Sequence, residues 1–180
     1  CFVYSIASFI INRTIEQIKI DLCNAKLPVK IFGVGCGYSY AIDGPTHHST
    51  EDIGLLNLMP NMEIYSPSDE ISTEKIVKIV MHSKKPAYIR LDREVCNSIY
   101  NNSKFNIKEG INEIKKGNNY CIISTGKMTA SALAVSDQLS DKIKIGVIDI
   151  SRIKPISKLI LKMINRYKKI FTLEEHNENG

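Results

Sequence analysis

The sequence predicts an α/β fold made of two parallel-sheet domains. Two observations carry this. In both halves of the chain, segments with apolar residues at helical spacing alternate with short apolar runs, the order expected when helices cover parallel strands. Between the halves, 92–118 breaks that rhythm with Asn, Lys and Gly. The expected division is 1–93, a linker over 94–118, and a second domain over 119–180.

The elements follow in order. Ile6, Phe9, Ile10, Ile15, Ile18 and Leu22 recur at helical spacing and predict one helix over 2–23. A buried strand follows over 29–34. Residues 35–46 are rich in Gly and read as a loop. Thr46, Ser49 and Thr50 offer N-caps for a helix ending near Asn57, with Glu51 and Asp52 in its first turn. A short strand lies between Pro60 and Pro67. Ser68 and Asp69 can cap a helix over 70–82, and 87–91 is a further strand. Past weak β pieces near Phe105 and Ile111, the expected series is strand 120–124, helix 127–139, strand 143–150, helix 156–167 and strand 169–173. Pro155 fits the first turn of the helix that follows it.

Composition sets the class. Apolar residues make up 43% of the 180 residues and charged residues 24%, ordinary for a globular protein. The net charge of +5 is scattered, whereas nucleic-acid binders concentrate basic residues in a patch; a solvated Lys-rich surface explains it. Five cysteines form no C-x-x-C pair, so zinc and redox motifs lack support and reduced thiols in a cytoplasmic protein are expected. No apolar run reaches the length of a membrane span. The ends, at Cys1 and Gly180, read as those of a fragment.

Ligands of open α/β sheets bind beyond the carboxyl ends of the strands. Two loops with reactive residues sit there. One is 35–48, which carries Asp43, His47 and His48 among glycines. The other holds Arg93, whose guanidinium suits a phosphate or carboxylate. Competing readings are weaker. Gly33-Val-Gly35-Cys-Gly37 lacks the third glycine of a dinucleotide loop, and Gly126-Lys127 lacks P-loop spacing. His47, His48 and Glu51 lack the spacing that places two imidazoles on one helical face. For His82 and His176, surface positions suffice. From spacing alone, Asp43 reads equally well as a turn residue before Gly44.

Gly44-Pro-Thr-His-His-Ser-Thr-Glu-Asp-Ile53, Pro60-Asn-Met62, Ser66-Pro-Ser-Asp69 and Tyr88-Ile-Arg-Leu-Asp-Arg93 together resemble the pyrimidine-binding domain of transketolases. Ile122-Ile-Ser-Thr-Gly126, Lys154-Pro155 and Glu174-Glu-His176 resemble the C-terminal domain of that family. The Gly-Tyr-Ser-Tyr40 and His-His variant is similar to short, split transketolases. The resemblance implies an N-terminally truncated pyrimidine-binding domain and a truncated C-terminal domain. It also implies thiamine diphosphate as cofactor, with Mg2+ or Ca2+ held on a diphosphate-binding domain in the same or a separate chain. A dimer or larger homo-oligomer and transfer of a two-carbon ketol unit between sugars or sugar phosphates, in carbohydrate metabolism, follow from it. Phe9 would stack on the aminopyrimidine, with Ile6 and Arg13 beside that pocket. Asp43 would bind substrate hydroxyls, His47 would contact the substrate near the reacting carbon, and Arg93 would grip a phosphate. An imidazole suits proton transfer near neutrality.

Two departures matter. Gly35 stands where the family has a histidine that helps hold substrate and phosphate, so a phosphorylated sugar is less expected. The glutamate that activates the aminopyrimidine lies upstream of Phe2 in the family, so these 180 residues are expected to be catalytically incomplete. The alternatives are a deoxyxylulose-phosphate-synthase-like condensation, a 2-oxo-acid dehydrogenase β-subunit, and a non-catalytic scaffold.

Overall fold

A computed structural model describes residues 1–101 and 105–179. Two units result: one from 1–65, 76–95 and 175–180, the other from 66–75 and 96–174. The 94–118 linker expectation therefore includes 102–104, and the 119–180 expectation includes 180, which lie outside the described residues.

In the first unit, β1 (Phe2–Ile6), β2 (Lys30–Val34), β3 (Glu63–Tyr65) and β4 (Ala87–Leu91) stand in the order β1-β2-β4-β3, all parallel. The strand at 2–6 corrects the expectation of one helix over 2–23. Phe2, Val3, Tyr4 and Ile6 are strand formers, and a five-residue ladder with β2 overrides the helical spacing. The helical part is short: α1 (Ala7–Asn12), α2 (Ile15–Gln17) and a π-helical turn over Ile18–Asn24. The Thr14 hydroxyl donates to the Ile10 carbonyl at 2.5 Å, a back-bond that competes with the helical ladder between α1 and α2. The central strand β4 is buried through Ala87, Tyr88, Ile89 and Arg90, as a strand covered on both faces must be. Ile11, Ile31, Leu56, Ile64 and Val80 build the core around it.

The helix after the glycine-rich loop, α3 (Asp52–Asn57), begins later than its predicted caps; Glu51 precedes it without a side-chain cap bond. Helix α4 (Glu70–His82) matches its prediction. Asp69 caps it, its carboxylate accepting the Ser72 N–H at 2.8 Å.

The second unit has a mixed sheet of β5 (Ile111–Lys115), β6 (Tyr120–Ser124), β7 (Ile145–Ile150) and β9 (Lys169–Leu173), in the order β5-β7-β6-β9. Strand β5 is antiparallel to β7 and lies where the sequence suggested linker. The sheet is therefore not wholly parallel. Period-two alternation sends Cys121 and Ile148 to a cluster with Tyr167, and Ile122, Ile145 and Val147 to one with Ala132. Ala132 comes from α5 (Met128–Gln138). A short strand, β8 (Arg152–Lys154), lies just before the expected helix. The helix itself, α6, is only Leu159–Ile164, so Pro155 precedes it rather than opening it. Among the described residues no helix is long and apolar enough to cross a membrane.

Asp149 is fully buried in this unit. It accepts hydrogen bonds from Ser68 (2.7 Å), Thr129 (3.1 Å) and Tyr100 (2.5 Å). Burial pushes its carboxyl up to about 6; these hydrogen bonds hold it down, and nearby Asp69 adds to the rise. The folded carboxyl thus keeps a proton that the unfolded chain releases near pH 4. Its contribution to stability is complete below pH 4 and is lost as pH rises through 6, by about 3 kcal/mol. Unfolding of wild type and Asp149→Asn across pH 4–7 checks this. The difference between them should decline by that amount, and a flat difference contradicts it.

Candidate functional site

The site grows from the carboxyl ends of three adjacent parallel strands. Helix α1 follows β1 and carries Phe9, with Arg13 as its C-cap. The loop after β2 carries Tyr40, Asp43 and His47. Arg93 follows β4. The Arg13 guanidinium lies 4.1 Å from the Phe9 ring centre. The His47 ring meets Phe9 edge-on at 4.8 Å and lies 5.6 Å from the Tyr40 ring. The Arg93 guanidinium sits over Tyr40 at 4.9 Å. Arg13, Phe9, His47, Tyr40 and Arg93 thus form one continuous file of rings and cations, with contacts of the kind that quadrupole electrostatics favours.

Four predicted residues are thereby brought together. Ile6 closes β1 beside Val34, half-buried. Asp43 ends a short 3-10 turn, Ala41–Asp43, exposed and without a side-chain partner among the described residues. His48 turns aside, its Nε2 3.2 Å from the Ala41 carbonyl and its ring against Tyr38. Among the described residues no three His, Cys, Asp or Glu side chains converge as a metal site.

The loop is fastened at several points. Gly37 and Ser49 form an antiparallel bridge. Ser8 donates to the Thr46 carbonyl at 3.0 Å, and Asn12 donates to Glu51 at 2.6 Å, so α1 and the loop hold each other. Beneath lies a buried polar cluster that the sequence reading missed. Asp52, 0% exposed, accepts from the Tyr88 hydroxyl at 2.6 Å and from Arg90 Nε at 2.9 Å. Arg90 Nη2 donates to the carbonyls of Ser49 (3.2 Å) and Glu175 (2.8 Å). Burial alone would lower the Arg90 pKa, but the charge of Asp52 raises it above the ordinary value. Burial first, and then Asp52, push the Tyr88 phenol and the Cys36 thiol up, so Cys36 is an inert core thiol.

His176 corrects the surface expectation. Its side chain is 1% exposed. Nε2 accepts the Gly54 N–H at 3.3 Å, and Nδ1 lies 3.2 Å from the Asn177 carbonyl, the pattern of a ring protonated on Nδ1. A sequence signal did exist for Arg90: a charge inside a strand buried on both faces requires a partner. Nothing in the spacing named that partner as Asp52.

An aromatic face, an imidazole and an arginine with no carboxylate partner among the described residues thus lie together beyond the ends of parallel strands of an α/β domain. Residues 2–97 match the family model "Transketolase, pyrimidine binding domain" and residues 110–180 match "Transketolase, C-terminal domain". The chain belongs to the transketolase family. It is 36% identical over 182 residues to an apulose-4-phosphate transketolase subunit of Phocaeicola vulgatus, covering 99% of this chain and 58% of that protein. It is 32% identical to 1-deoxy-D-xylulose-5-phosphate synthase of Dehalococcoides mccartyi, over 97% of this chain and 28% of that one. Among solved structures, a split gene transketolase described as an inactive β4 tetramer matches with TM-score 0.86 and 30% identity, covering 97% of this chain and 57% of that chain. The chain thus spans little more than half the length of the relative from P. vulgatus.

Proposed function

We propose that this chain is the pyrimidine-side half of a thiamine-diphosphate-dependent transketolase, which moves a two-carbon ketol unit between sugars. The observation that carries this reading is the file of Arg13, Phe9, His47, Tyr40 and Arg93 across three strand ends. The residues fit the cofactor: the half-buried Phe9 ring already accepts a flat guanidinium at 4.1 Å, and an aminopyrimidine is a flat group of similar thickness. Phe9 would hold that ring, with Ile6 and Arg13 bounding the pocket. The cofactor supplies a nucleophilic carbon and an electron sink. The chain's own groups do the rest. His47 gives and takes a proton at the substrate oxygens near the reacting carbon. Asp43, exposed and unpartnered among the described residues, aligns neighbouring hydroxyls. Arg93 holds an anionic end.

The activating glutamate and the diphosphate-binding domain, with its Mg2+ or Ca2+, come from outside these 180 residues, in the same or another chain. The assembly is a homo-oligomer of such halves and acts in the cytoplasm. The P. vulgatus relative is named as one subunit of a transketolase, which supports the split arrangement. Calorimetric titration of thiamine diphosphate and Mg2+ into the full-length protein with its partner half tests the site. Wild type should bind, and Phe9→Ala should bind about tenfold more weakly, the upper range for one aromatic stack. Absence of binding by wild type, or equal binding by Phe9→Ala, contradicts the reading.

A further inference from the structure

In the sequence, Tyr40 stands out only as the last residue of Gly37-Tyr-Ser-Tyr40, yet its ring is central to the site. A Cβ at Gly35 would lie 1.9 Å from Tyr40 Cε2, and Gly35 has φ +75°. Backbone conformation and the missing side chain together clear a space, and the Tyr40 ring fills it. A side chain at position 35 and a ring at position 40 exclude each other.

The ring has two neighbours of different chemistry. The Arg93 guanidinium carbon is 4.9 Å from its centre, and the His47 ring is 5.6 Å away. The backbone reinforces the first contact: Ser39, just before Tyr40, donates to Asp92 at 2.9 Å, and the same Asp92 oxygen accepts the Arg93 N–H at 2.8 Å. Neighbours of the ring and of the guanidinium are therefore tied to one carboxylate. Arg93 is exposed, with no carboxylate on its guanidinium among the described residues, so its charge is free for an anion while an aromatic face fixes its direction.

We infer that Tyr40 is a positioning residue that sets the substrate class: by holding Arg93 at a fixed place beside His47, it makes the site select a phosphorylated sugar over its unphosphorylated counterpart. This rests on the ketol-transfer reading above. It also reverses the expectation drawn from Gly35, because the space left by a missing side chain is used to orient a phosphate-binding arginine.

The test uses the full-length protein assembled with its diphosphate-binding half, as wild type, Tyr40→Phe and Tyr40→Leu. Tyr40→Leu should raise KM for a phosphorylated ketose about fivefold, the scale of one exposed cation–π contact. Its kcat and its KM for the unphosphorylated ketose should change less than that, so the preference for the phosphorylated ketose falls. Tyr40→Phe keeps the ring and should match wild type. Inorganic phosphate, titrated into the same three proteins by calorimetry, should bind wild type and Tyr40→Phe alike and Tyr40→Leu about fivefold more weakly. A rise in both KM values together, a fall in kcat alone, or failure of Tyr40→Phe to rescue overturns the inference. Ketol transfer absent from wild type removes the functional reading. In that case the phosphate titration still decides the Tyr40–Arg93 pairing, and equal binding by all three proteins overturns it.

Discussion

Replacing His47 with Ala is expected to lower turnover of the assembled enzyme by about 100-fold or more, and thiamine diphosphate affinity by about tenfold at most. The two effects differ in size because they have different origins. Loss of a positioned proton-transfer group costs about 10²- to 10⁴-fold in rate. The edge-on contact of His47 with Phe9, at 4.8 Å, is of a kind worth about 0.5–1.5 kcal/mol, or about tenfold at the upper limit. Steady-state kinetics paired with cofactor titration separates them. Unchanged turnover removes His47 from the mechanism. A loss of affinity as large as the loss of rate makes it a wall of the cofactor pocket instead.

Asp52→Ala is expected to destabilise the chain by about 3–5 kcal/mol, because it leaves the Arg90 guanidinium and the Tyr88 hydroxyl buried without their acceptor. Arg90→Met costs a similar amount by stranding Asp52. The double variant Asp52→Ala/Arg90→Met is expected to be less destabilised than the sum of the two single losses, since neither charge is left alone. Denaturant unfolding of the four proteins measures this, and strict additivity would contradict it. The pair also matters to the site. Arg90 grips the carbonyl of Ser49, at the foot of the loop that carries His47, so single variants are expected to lose activity even where enough folded protein remains.

The sequence made several strands and helix α4 legible, since 70–82, 87–91, 120–124 and 169–173 appear where expected. These segments combine clear periodicity with strong flanking signals. Legibility failed where tertiary pairing outweighed local pattern. Phe2–Ile6 has helical spacing but joins β2 as an edge strand, and Ile111–Lys115, polar enough to read only as a weak β piece within a linker, pairs with β7. In the site, residue types and motif resemblance pointed to Phe9, His47 and Arg93. Tyr40 and Asp52 were invisible for one reason: their roles depend on what fills a space or faces a charge, and those neighbours are distant in sequence. Gly35 shows this most plainly. Set against the family resemblance it marks a missing imidazole, whereas in the fold it makes room for the Tyr40 ring.

If this chain supplies the substrate-facing half of a ketol-transfer site, two carbons must leave the donor as one unit. A label-transfer experiment asks this of the full-length protein assembled with its diphosphate-binding half, thiamine diphosphate and Mg2+. The donor is a ketose phosphate carrying ¹³C at its first two carbons, offered with an aldose phosphate acceptor. Both labelled carbons are expected to move together into a new, longer ketose, with no carbon dioxide released. Label that stays in the donor, while the same assembly decarboxylates and condenses a 2-oxo acid, would rule ketol transfer out.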